Sequence, residues 1–328
     1  MTTPHIRILA TGGTIAGKAH AATGKGYDAG QAAIADILAG AASFDFGMEL
    51  DGIDVAQIGS QDIGWPVWNR LHDLVAEAME DKSITGILIT HGTDTAEETA
   101  FLLDLTLPAS KPVVLVGAMR PMDAVGTDGL RNFANALQVA GDPNAHGRGV
   151  LLVMGDHVLS AVDARKAATT HIDAFAGFPR GPLANVTPAG VKWYGPADRI
   201  GAEARFAWPT NLPRVEIVYA AAGEDAAMVN AALAAGAQGL VLAGMGQGNA
   251  PTEILDALAQ AVTNGILVVR ASRVDQGPVE RNVEVDDDAL GFVAARNLNP
   301  QKARILVQMA LADNIRSPAG LQAVFDMQ

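Results

Sequence analysis

The chain has 328 residues, of which 49% are hydrophobic and 18% are charged, so it can bury a large core and is not an intrinsically disordered protein. Its formal net charge of −13 argues against nucleic acid and anionic membranes as partners, because both require a basic face. It contains no cysteine, which excludes disulfides, a thiolate nucleophile and cysteine-ligated zinc.

The first residues, MTTPHIRILATGG, lead directly into an apolar strand. Neither the basic segment nor the apolar stretch of a secretion signal precedes that strand. The longest apolar runs have the length of strands, so we expect no transmembrane helix. The sequence as written predicts a cytoplasmic protein, or a periplasmic one if a leader peptide has been removed.

Apolar runs alternate with amphipathic segments along the first half of the chain. Most residues of these runs are apolar, which is typical of strands buried on both faces of a parallel sheet. We therefore predict an α/β domain with a mostly parallel sheet flanked by helices. The predicted strands are Ile6–Ala10, Ile53–Ile58, Gly86–Thr90, Pro112–Gly117 and Gly149–Met154, and the predicted helices lie near Ala32–Ala39, Trp65–Ala78, Thr95–Leu105 and Gly129–Ala140.

A second, smaller set of elements follows a segment that is rich in proline and tryptophan and has no helical period. We interpret this segment, 192–214, as a linker between an N-terminal domain (1–191) and a C-terminal α/β domain (215–328). The predicted strands of the second domain are Val215–Tyr219, Gly239–Ala243 and Ile266–Arg270, and its predicted helices lie near Ala226–Ala235, Pro251–Thr263, Asn299–Ala312 and Pro318–Phe325.

The stretch ATGGTIAGKA after the first strand fits the phosphate-loop pattern G-x-x-x-x-G-K from Gly12 to Lys18. A phosphate loop also needs a hydroxyl residue after the lysine and a helix beginning there. Ala19 occupies the hydroxyl position, and HAATG after it is a poor helix former. The stretch GMGQGN likewise fails the dinucleotide pattern G-x-G-x-x-G, because it ends in Asn249. The sequence therefore disfavours a nucleotide cofactor.

Threonines follow two of the predicted strands. Thr14 comes after the first strand, and Thr93 and Asp94 come after the strand Gly86–Thr90. The next residues, TAEE, fit a capping box that begins a helix near Asp94. Turn and cap chemistry would explain either motif alone. The carboxyl ends of parallel strands meet at one crevice, however, so the two hydroxyl-bearing turns together favour a catalytic site.

The motifs ILATGGTIAG, IGSQD, GILITHGTDTAEETA and VGAMRP, in this order, resemble those of the bacterial L-asparaginases, including the glutaminase-asparaginases. The resemblance continues nearly end to end, through GMGQGN, RASRV, EVDDDALGFVA and LNPQKARILVQMAL. GSQD and GAMRP are closest to the type II-like branch. The resemblance implies hydrolysis of L-asparagine to L-aspartate and ammonia without a metal or cofactor. Comparable activity on L-glutamine and a non-catalytic amino-acid-binding protein stay open as alternatives.

The resemblance assigns catalytic roles to four residues at the sheet edge. It makes Thr14 the nucleophile, which forms an acyl-enzyme ester. Thr93, Lys166 and Asp94 form a proton relay that activates water for the second half-reaction. A threonine hydroxyl is a poor nucleophile unless a neighbouring group activates it, which explains why such partners are needed.

The segment GKAHAATGKGYDAG, residues 17–30, has too many glycines and small residues to form a helix. It predicts a mobile loop, and its position directly after the Thr14 motif favours a lid. The resemblance places Tyr27 of this loop near the nucleophile, where it closes over the substrate.

The resemblance also assigns residues that bind the two charged ends of the amino acid. Asp94 binds the α-ammonium group, while Ser60 and Gln61 hold the α-carboxylate and amino groups. Ala118 contributes only its backbone, to the oxyanion or to a bound water.

A neighbouring subunit completes the pocket in the family, and Asn249 and Glu284 match the positions that it supplies. The resemblance therefore implies a homo-oligomer, usually a tetramer of paired dimers. Gln247 and the segment DQGPVERNVEV around Glu284 depart from or vary within the family pattern, which leaves the preference between asparagine and glutamine open. The run Asp286–Asp288 is interpreted as a solvated acidic turn rather than a metal site.

Overall fold

The computed structural model describes residues 3–20, 26–28, 30, 34–35, 38 and 47–328. The chain divides into two compact units, Met1–Arg205 and Phe206–Gln328. The division falls inside the segment 192–214 that the sequence predicts as a linker. The first residues of that segment belong to a strand of the first unit, Gly190–Trp193.

The first unit alternates strands and helices in the order that its sequence predicts. Its α-helices are α1 (Trp65–Glu80), α2 (Ala96–Thr106) and α3 (Gly129–Ala140), and short 3-10 helices cover Thr14–Ala16, Ser60–Asp62 and Pro143–Ala145. Its strands are β1 (His5–Gly12), β2 (Lys18–Ala19), β3 (Tyr27–Asp28), β4 (Glu49–Ile58), β5 (Gly86–Thr90), β6 (Val113–Val116), β7 (Val150–Met154), β8 (His157–Ser160), β9 (Ala164–Lys166), β10 (Phe175–Gly177), β11 (Ala184–Thr187) and β12 (Gly190–Trp193).

Eight of these strands form one sheet in the order β12-β11-β8-β7-β6-β5-β1-β4. The five strands from β7 to β4 are mutually parallel, and β8, β11 and β12 extend the sheet with antiparallel pairs. The predicted fold class, a mostly parallel sheet flanked by helices, is confirmed for this unit.

The core of the first unit has two layers because alternate side chains of each strand point to opposite faces. Ile6 and Ile8 of β1 lie in a cluster with Phe133 and Leu137 of α3. Leu9 lies in a separate cluster, which includes residues of α1 and α2. Helices therefore cover both faces of the parallel strands, which explains why the central strands β5, β6 and β7 are buried throughout and almost entirely apolar.

Part of the segment predicted as a lid has regular structure. Lys18–Ala19 pairs with Tyr27–Asp28 in an antiparallel ladder, where the sequence predicts only an irregular loop. The end of the segment returns to the first turn, because the N–H of Gly30 donates to the carbonyl oxygen of Gly13 over 3.1 Å. Residues 21–25 and 29 and the side chain of Tyr27 lie outside the described part of the chain, and so does most of the helix predicted near Ala32–Ala39.

The second unit contains a four-stranded parallel sheet, in which each strand lies beside the next strand of the chain. Apolar side chains of its strands and helices form one buried cluster that includes Leu242, Leu258 and Phe292. This small parallel-sheet domain also confirms the prediction. Its strands are β13 (Val215–Tyr219), β14 (Gly239–Gly244), β15 (Leu267–Ser272) and β16 (Val293–Ala294), and its helices are α4 (Ala227–Ala234), α5 (Thr252–Thr263), α6 (Asp287–Leu290), α7 (Pro300–Ala312) and α8 (Pro318–Phe325).

The longest described helix, α1, has 16 residues. None of the described helices combines the length and the apolar character that crossing a membrane requires.

Candidate active site

The carboxyl ends of four neighbouring parallel strands lie at nearly the same level of the first sheet. Gly12 of β1 pairs with Ile58 of β4, and Ala10 pairs with Thr90 of β5. Thr90 in turn pairs with Val116 of β6. The turns that follow these strands therefore emerge side by side, as is usual at the ligand-binding edge of an open parallel sheet.

Three of these turns touch one another through glycine. A Cβ atom built on Gly13, whose φ is +79°, would lie 2.4 Å from the Cα of Gly92. A Cβ atom built on Gly92 would lie 2.7 Å from the Oγ of Ser60. Only glycine permits such close approach of the backbones. The turns that carry Thr14, Ser60 and Thr93 are thus packed together, as the two-turn hypothesis requires.

Thr14 begins a short 3-10 helix directly after this contact. The N–H of Gly13 donates to the carbonyl oxygen of Ile58 over 2.9 Å, and the N–H of Gly17 donates to the carbonyl oxygen of Thr14 over 2.8 Å. These bonds fix the backbone on both sides of the threonine. Its side chain is buried, with 6% of the residue exposed, so Thr14 lies in a rigid and largely dry position.

Lys166 joins the second threonine and its neighbouring carboxylate. It lies at the end of β9, and its Nζ donates to Thr93 Oγ1 over 2.9 Å and to Asp94 Oδ1 over 2.5 Å. The Lys166 side chain is 17% exposed and that of Asp94 is 61% exposed, while Thr93 is buried. The set Thr93–Lys166–Asp94 predicted from the sequence is therefore assembled, with the carboxylate on the solvent side.

The predicted capping box at the start of α2 does not form through Thr95. The helix begins at Ala96 with Thr95 as its N-cap residue, but the Thr95 side chain makes no capping hydrogen bond. Its Oγ1 donates instead to the carbonyl oxygen of Ser60 over 2.8 Å. The prediction of the helix start is close, but its reason is wrong, because the Thr95 side chain is directed to the neighbouring turn and accepts no capping bond.

The turn after β6 is held by two residues that the sequence analysis did not identify. Asp128 accepts hydrogen bonds from the N–H groups of Met119 and Arg120, over 2.9 and 3.0 Å. Asn132 donates to Asp128 and to the carbonyl oxygen of Gly117. The carboxylate and the amide thus fix the backbone around Ala118, which is fully buried. The signal in the sequence is weak, because an aspartate before a helix normally indicates an N-cap.

His91 lies directly under the Thr93 turn and is fully buried. Its Nδ1 donates to the carbonyl oxygen of Gly92 over 2.7 Å, while Nε2 has no hydrogen-bond partner in the described part of the chain. Burial lowers the pKa of this imidazole from 6.5 to about 4, against a smaller opposing effect of the bond to Gly92. The ring is therefore neutral at pH 7 and supports the turn as a packed, uncharged group.

This burial predicts acid sensitivity of the fold. The unfolded chain takes up the His91 proton near pH 6.5 and the folded chain only near pH 4, so stability falls between these values as the pH falls, by about 3 kcal/mol in total. Urea unfolding of the native protein and of His91→Asn at several pH values measures the effect. Asparagine can keep the donor to Gly92 but cannot be protonated. The variant should lose less stability than the native protein between pH 6.5 and pH 4, and equal losses would contradict this role.

Gln61, Asn249 and Glu284 are the remaining predicted substrate-binding residues. The amide of Gln61 folds back over Gly59, within 2.4 Å of where a Cβ atom of that glycine would lie. Asn249 and Glu284 belong to the second unit. Asn249 closes the turn after β14 through paired backbone bonds with Met245, and Glu284 is an exposed residue of the segment before α6.

The interpretation of Asp286–Asp288 as a solvated acidic turn is wrong for its central residue. Asp286 caps α6 by accepting from the N–H of Ala289, and Asp288 pairs with Arg281 at the surface. Asp287, however, has no exposed surface and pairs with Arg270, which is also fully buried. Within the described residues, no group of three or more histidine, aspartate or glutamate side chains could hold a metal ion.

Comparison with known protein families gives matches along nearly the whole chain. Residues 5–199 match the family model described as Asparaginase, N-terminal, and residues 214–325 match the Glutaminase/Asparaginase C-terminal domain.

Three named relatives cover both units. A probable periplasmic L-asparaginase of Haemophilus influenzae is 41% identical over 98% of this chain and 93% of its own length. L-asparaginase 2 of Escherichia coli is 40% identical over the same shares. A glutaminase-asparaginase of Pseudomonas fluorescens is 40% identical over 94% of this chain and 86% of its own length. With both family models matched and relatives at this identity, the chain belongs to the asparaginase family.

Proposed function

We propose that the protein hydrolyses L-asparagine to L-aspartate and ammonia. The observation that carries the proposal is the contact of Lys166 Nζ with both Thr93 and Asp94, on a turn packed against the one that carries Thr14. Hydrolysis of a carboxamide needs a nucleophile, a group that moves its proton and donors for the oxyanion. Membership of the asparaginase family gives this constellation its substrate class.

In the first half-reaction, Thr14 Oγ attacks the side-chain carboxamide carbon and gives a tetrahedral oxyanion. The N–H group of Ala118 is the donor proposed for this oxyanion, since Asp128 already binds the N–H groups of the next two residues. Collapse breaks the C–N bond, ammonia leaves with the hydroxyl proton, and an ester of Thr14 remains. The rigid, buried setting of Thr14 supports this role, because a fixed nucleophile loses little freedom in reaching the transition state.

In the second half-reaction, water cleaves the ester and releases L-aspartate. Thr93 is proposed to orient this water and to take its proton. The Lys166 ammonium gives one of its protons to the Asp94 carboxylate and takes the hydroxyl proton of Thr93, so that Asp94 is the final acceptor of the relay. A cation that donates to the Thr93 hydroxyl oxygen stabilises negative charge on that atom, so the proton of Thr93 is passed on more easily. A lysine that contacts both a hydroxyl and a carboxylate suits this kind of proton transfer.

The substrate is a zwitterion and needs fixed counter-charges. Asp94 has most of its side chain exposed on the open side of the relay, where it can bind the α-ammonium group. Ser60, buried against the Thr93 turn, and Gln61 are proposed to hold the α-carboxylate and amino groups. Tyr27 is proposed to close over the substrate from the segment 17–30.

A second copy of the chain is proposed to complete the pocket with Asn249 and Glu284. The functional unit is then at least a dimer, and a tetramer built from two dimers is the assembly that we propose. The compartment stays a prediction, either cytoplasmic or periplasmic.

A coupled assay of ammonia release from L-asparagine and L-glutamine tests the proposal. We expect kcat/KM for asparagine to exceed that for glutamine by at least about tenfold, because one additional methylene is typically worth 1–3 kcal/mol of selectivity. The relatives named glutaminase-asparaginase make near-equal activity the second candidate. Equal kcat/KM values would favour it.

Saturable binding of asparagine in calorimetry, without release of ammonia by the same preparation, would contradict hydrolysis. That result would leave the chain an amino-acid-binding protein.

A further inference from the structure

The second unit contains a fully buried ion pair. Arg270 of β15 and Asp287 of α6 are both fully buried. Arg270 Nε donates to Asp287 Oδ1 over 2.6 Å, and Nη2 donates to Oδ2 over 2.7 Å. This bidentate geometry is the strongest that an arginine and a carboxylate can form.

The remaining donors of Arg270 bind backbone carbonyl groups of two different segments. Nη1 donates to the oxygens of Gln247 and Gly248 over 2.8 and 3.3 Å. Nη2 donates also to the oxygen of Glu280 over 3.3 Å. All five N–H groups of the guanidinium are then used. The side chain connects the turn after β14, the segment 280–287 and the start of α6.

These two segments carry the proposed substrate-binding residues of this unit. Asn249 follows Gly248 in the turn, and its backbone closes that turn on Met245. Glu284 lies between Glu280 and Asp287. Its carboxylate oxygen Oε2 is 3.9 Å from where a Cβ atom of Gly246 would lie, so the acidic side chain faces the same turn.

We propose that the Arg270–Asp287 pair is a positioning pair, which fixes the geometry between Asn249 and Glu284 and thereby the fit of the substrate's amino end. This inference rests on the proposed function, in which a second copy of the chain supplies these two residues. A buried ion pair is seldom more stabilising than apolar side chains of similar volume, because burial removes the hydration of both charges. The pair is therefore better explained by the two backbone segments that it connects than by a gain in the stability of the fold.

The test replaces both partners at once. The double variant Arg270→Met/Asp287→Leu leaves no unpaired buried charge, so we expect it to fold and to keep its oligomeric state. We expect KM for L-asparagine to rise by about tenfold or more, while kcat per folded subunit falls by less than about threefold, because the proposed catalytic atoms of the first unit are unchanged. We also expect the ratio of kcat/KM for asparagine over glutamine to change.

Arg270→Lys is a second variant, which keeps the positive charge but loses the five donors of the guanidinium. It should also raise KM for L-asparagine.

Gln322→Met is the matched control for loss of buried polar bonds in the same unit. Gln322 is buried and bonds both backbone groups of Ala294 and the carboxylate of Asp326. Ala294 pairs with Arg270 across β15 and β16, so the control removes buried polar bonds beside Arg270 and leaves the ion pair in place. It should lower the melting temperature and leave KM unchanged. The inference is overturned if KM of the double variant matches that of the native protein, or if Gln322→Met raises KM by the same factor. It is also overturned if the double variant cannot fold, because the pair would then serve folding itself. A native protein that releases no ammonia from asparagine would instead refute the proposed function.

Discussion

Thr14→Ala should lower kcat for L-asparagine by about 10⁴-fold or more, because loss of a covalent nucleophile leaves only binding and oxyanion stabilisation. The buried side chain is small and its turn is held by backbone bonds on both sides, so the variant should fold and bind asparagine with a Kd within about threefold of the native value. Steady-state ammonia release and calorimetric titration of the variant measure these two quantities. Thr14→Ser, which keeps a hydroxyl, should retain much of the activity.

Thr11 offers a matched control in β1, the strand that precedes the Thr14 turn. It is fully buried, and its hydroxyl donates to the carbonyl oxygen of Thr90 over 3.0 Å. Thr11→Val removes a hydroxyl without removing volume, so it should cost about 1 kcal/mol of stability and leave kcat nearly unchanged. If Thr14→Ala released ammonia at the native rate, or if Thr11→Val were as inactive as Thr14→Ala, Thr14 could not be the nucleophile.

The architecture was predictable chiefly because its central strands are buried on both faces. Gly86–Thr90 coincides with the predicted strand, since a continuous apolar run has few other places in an α/β domain. Val215–Tyr219, at the edge of the second sheet, also coincides with its prediction, although Ile217 and Tyr219 are exposed. The strands β11 and β12 were not predicted. Each has four residues, and polar or glycine residues interrupt the apolar pattern of ANVT and GVKW.

The site was predictable in part, and the missing part depends on long-range contacts. The turns after β1 and β5 could be placed at one edge, because the sheet is parallel and both turns follow strands. Nothing in the sequence around Lys166 indicates that its ammonium crosses to Thr93 and Asp94, and only the resemblance to a family pointed to it. The capping role given to Thr95 failed for the same reason, since a local pattern cannot show that Ser60 lies within reach of the hydroxyl.

For the buried Arg270–Asp287 pair, the sequence indicates that the arginine has a partner but does not identify that partner. Arg270 interrupts the apolar run ILVVRAS, and a charge inside a buried strand requires a partner. Asp287 lies in a run of three aspartates, where composition alone favours a solvated turn. The sequence could therefore have indicated that Arg270 is paired, but only the fold identifies which aspartate pairs with it.

Lys166→Met is expected to lower kcat by about 10²- to 10⁴-fold, the usual contribution of a positioned proton-transfer group. Methionine preserves most of the volume of the side chain but removes Nζ, which is the only described contact that joins Thr93 to Asp94. Because Lys166 is proposed to act on the water that cleaves the ester, the acyl-enzyme should accumulate. Rapid-quench kinetics should show a burst of about one ammonia per active site before slow turnover.

Lys111→Met is the control that distinguishes loss of proton transfer from the general effect of removing a hydrogen-bonded lysine. Lys111 Nζ also binds two oxygens, the backbone carbonyls of Ala78 and Asp81, so its removal should lower stability without producing a burst. If kcat of Lys166→Met stayed within about threefold of the native value, no proton transfer at Lys166 could limit turnover. If kcat fell without a burst, Lys166 would serve the attack of Thr14 instead. Nζ lies between Thr93 and Asp94, and Thr14 lies on a different turn from these two groups. This position argues that Lys166 acts on the water of the second half-reaction rather than on the attack of Thr14.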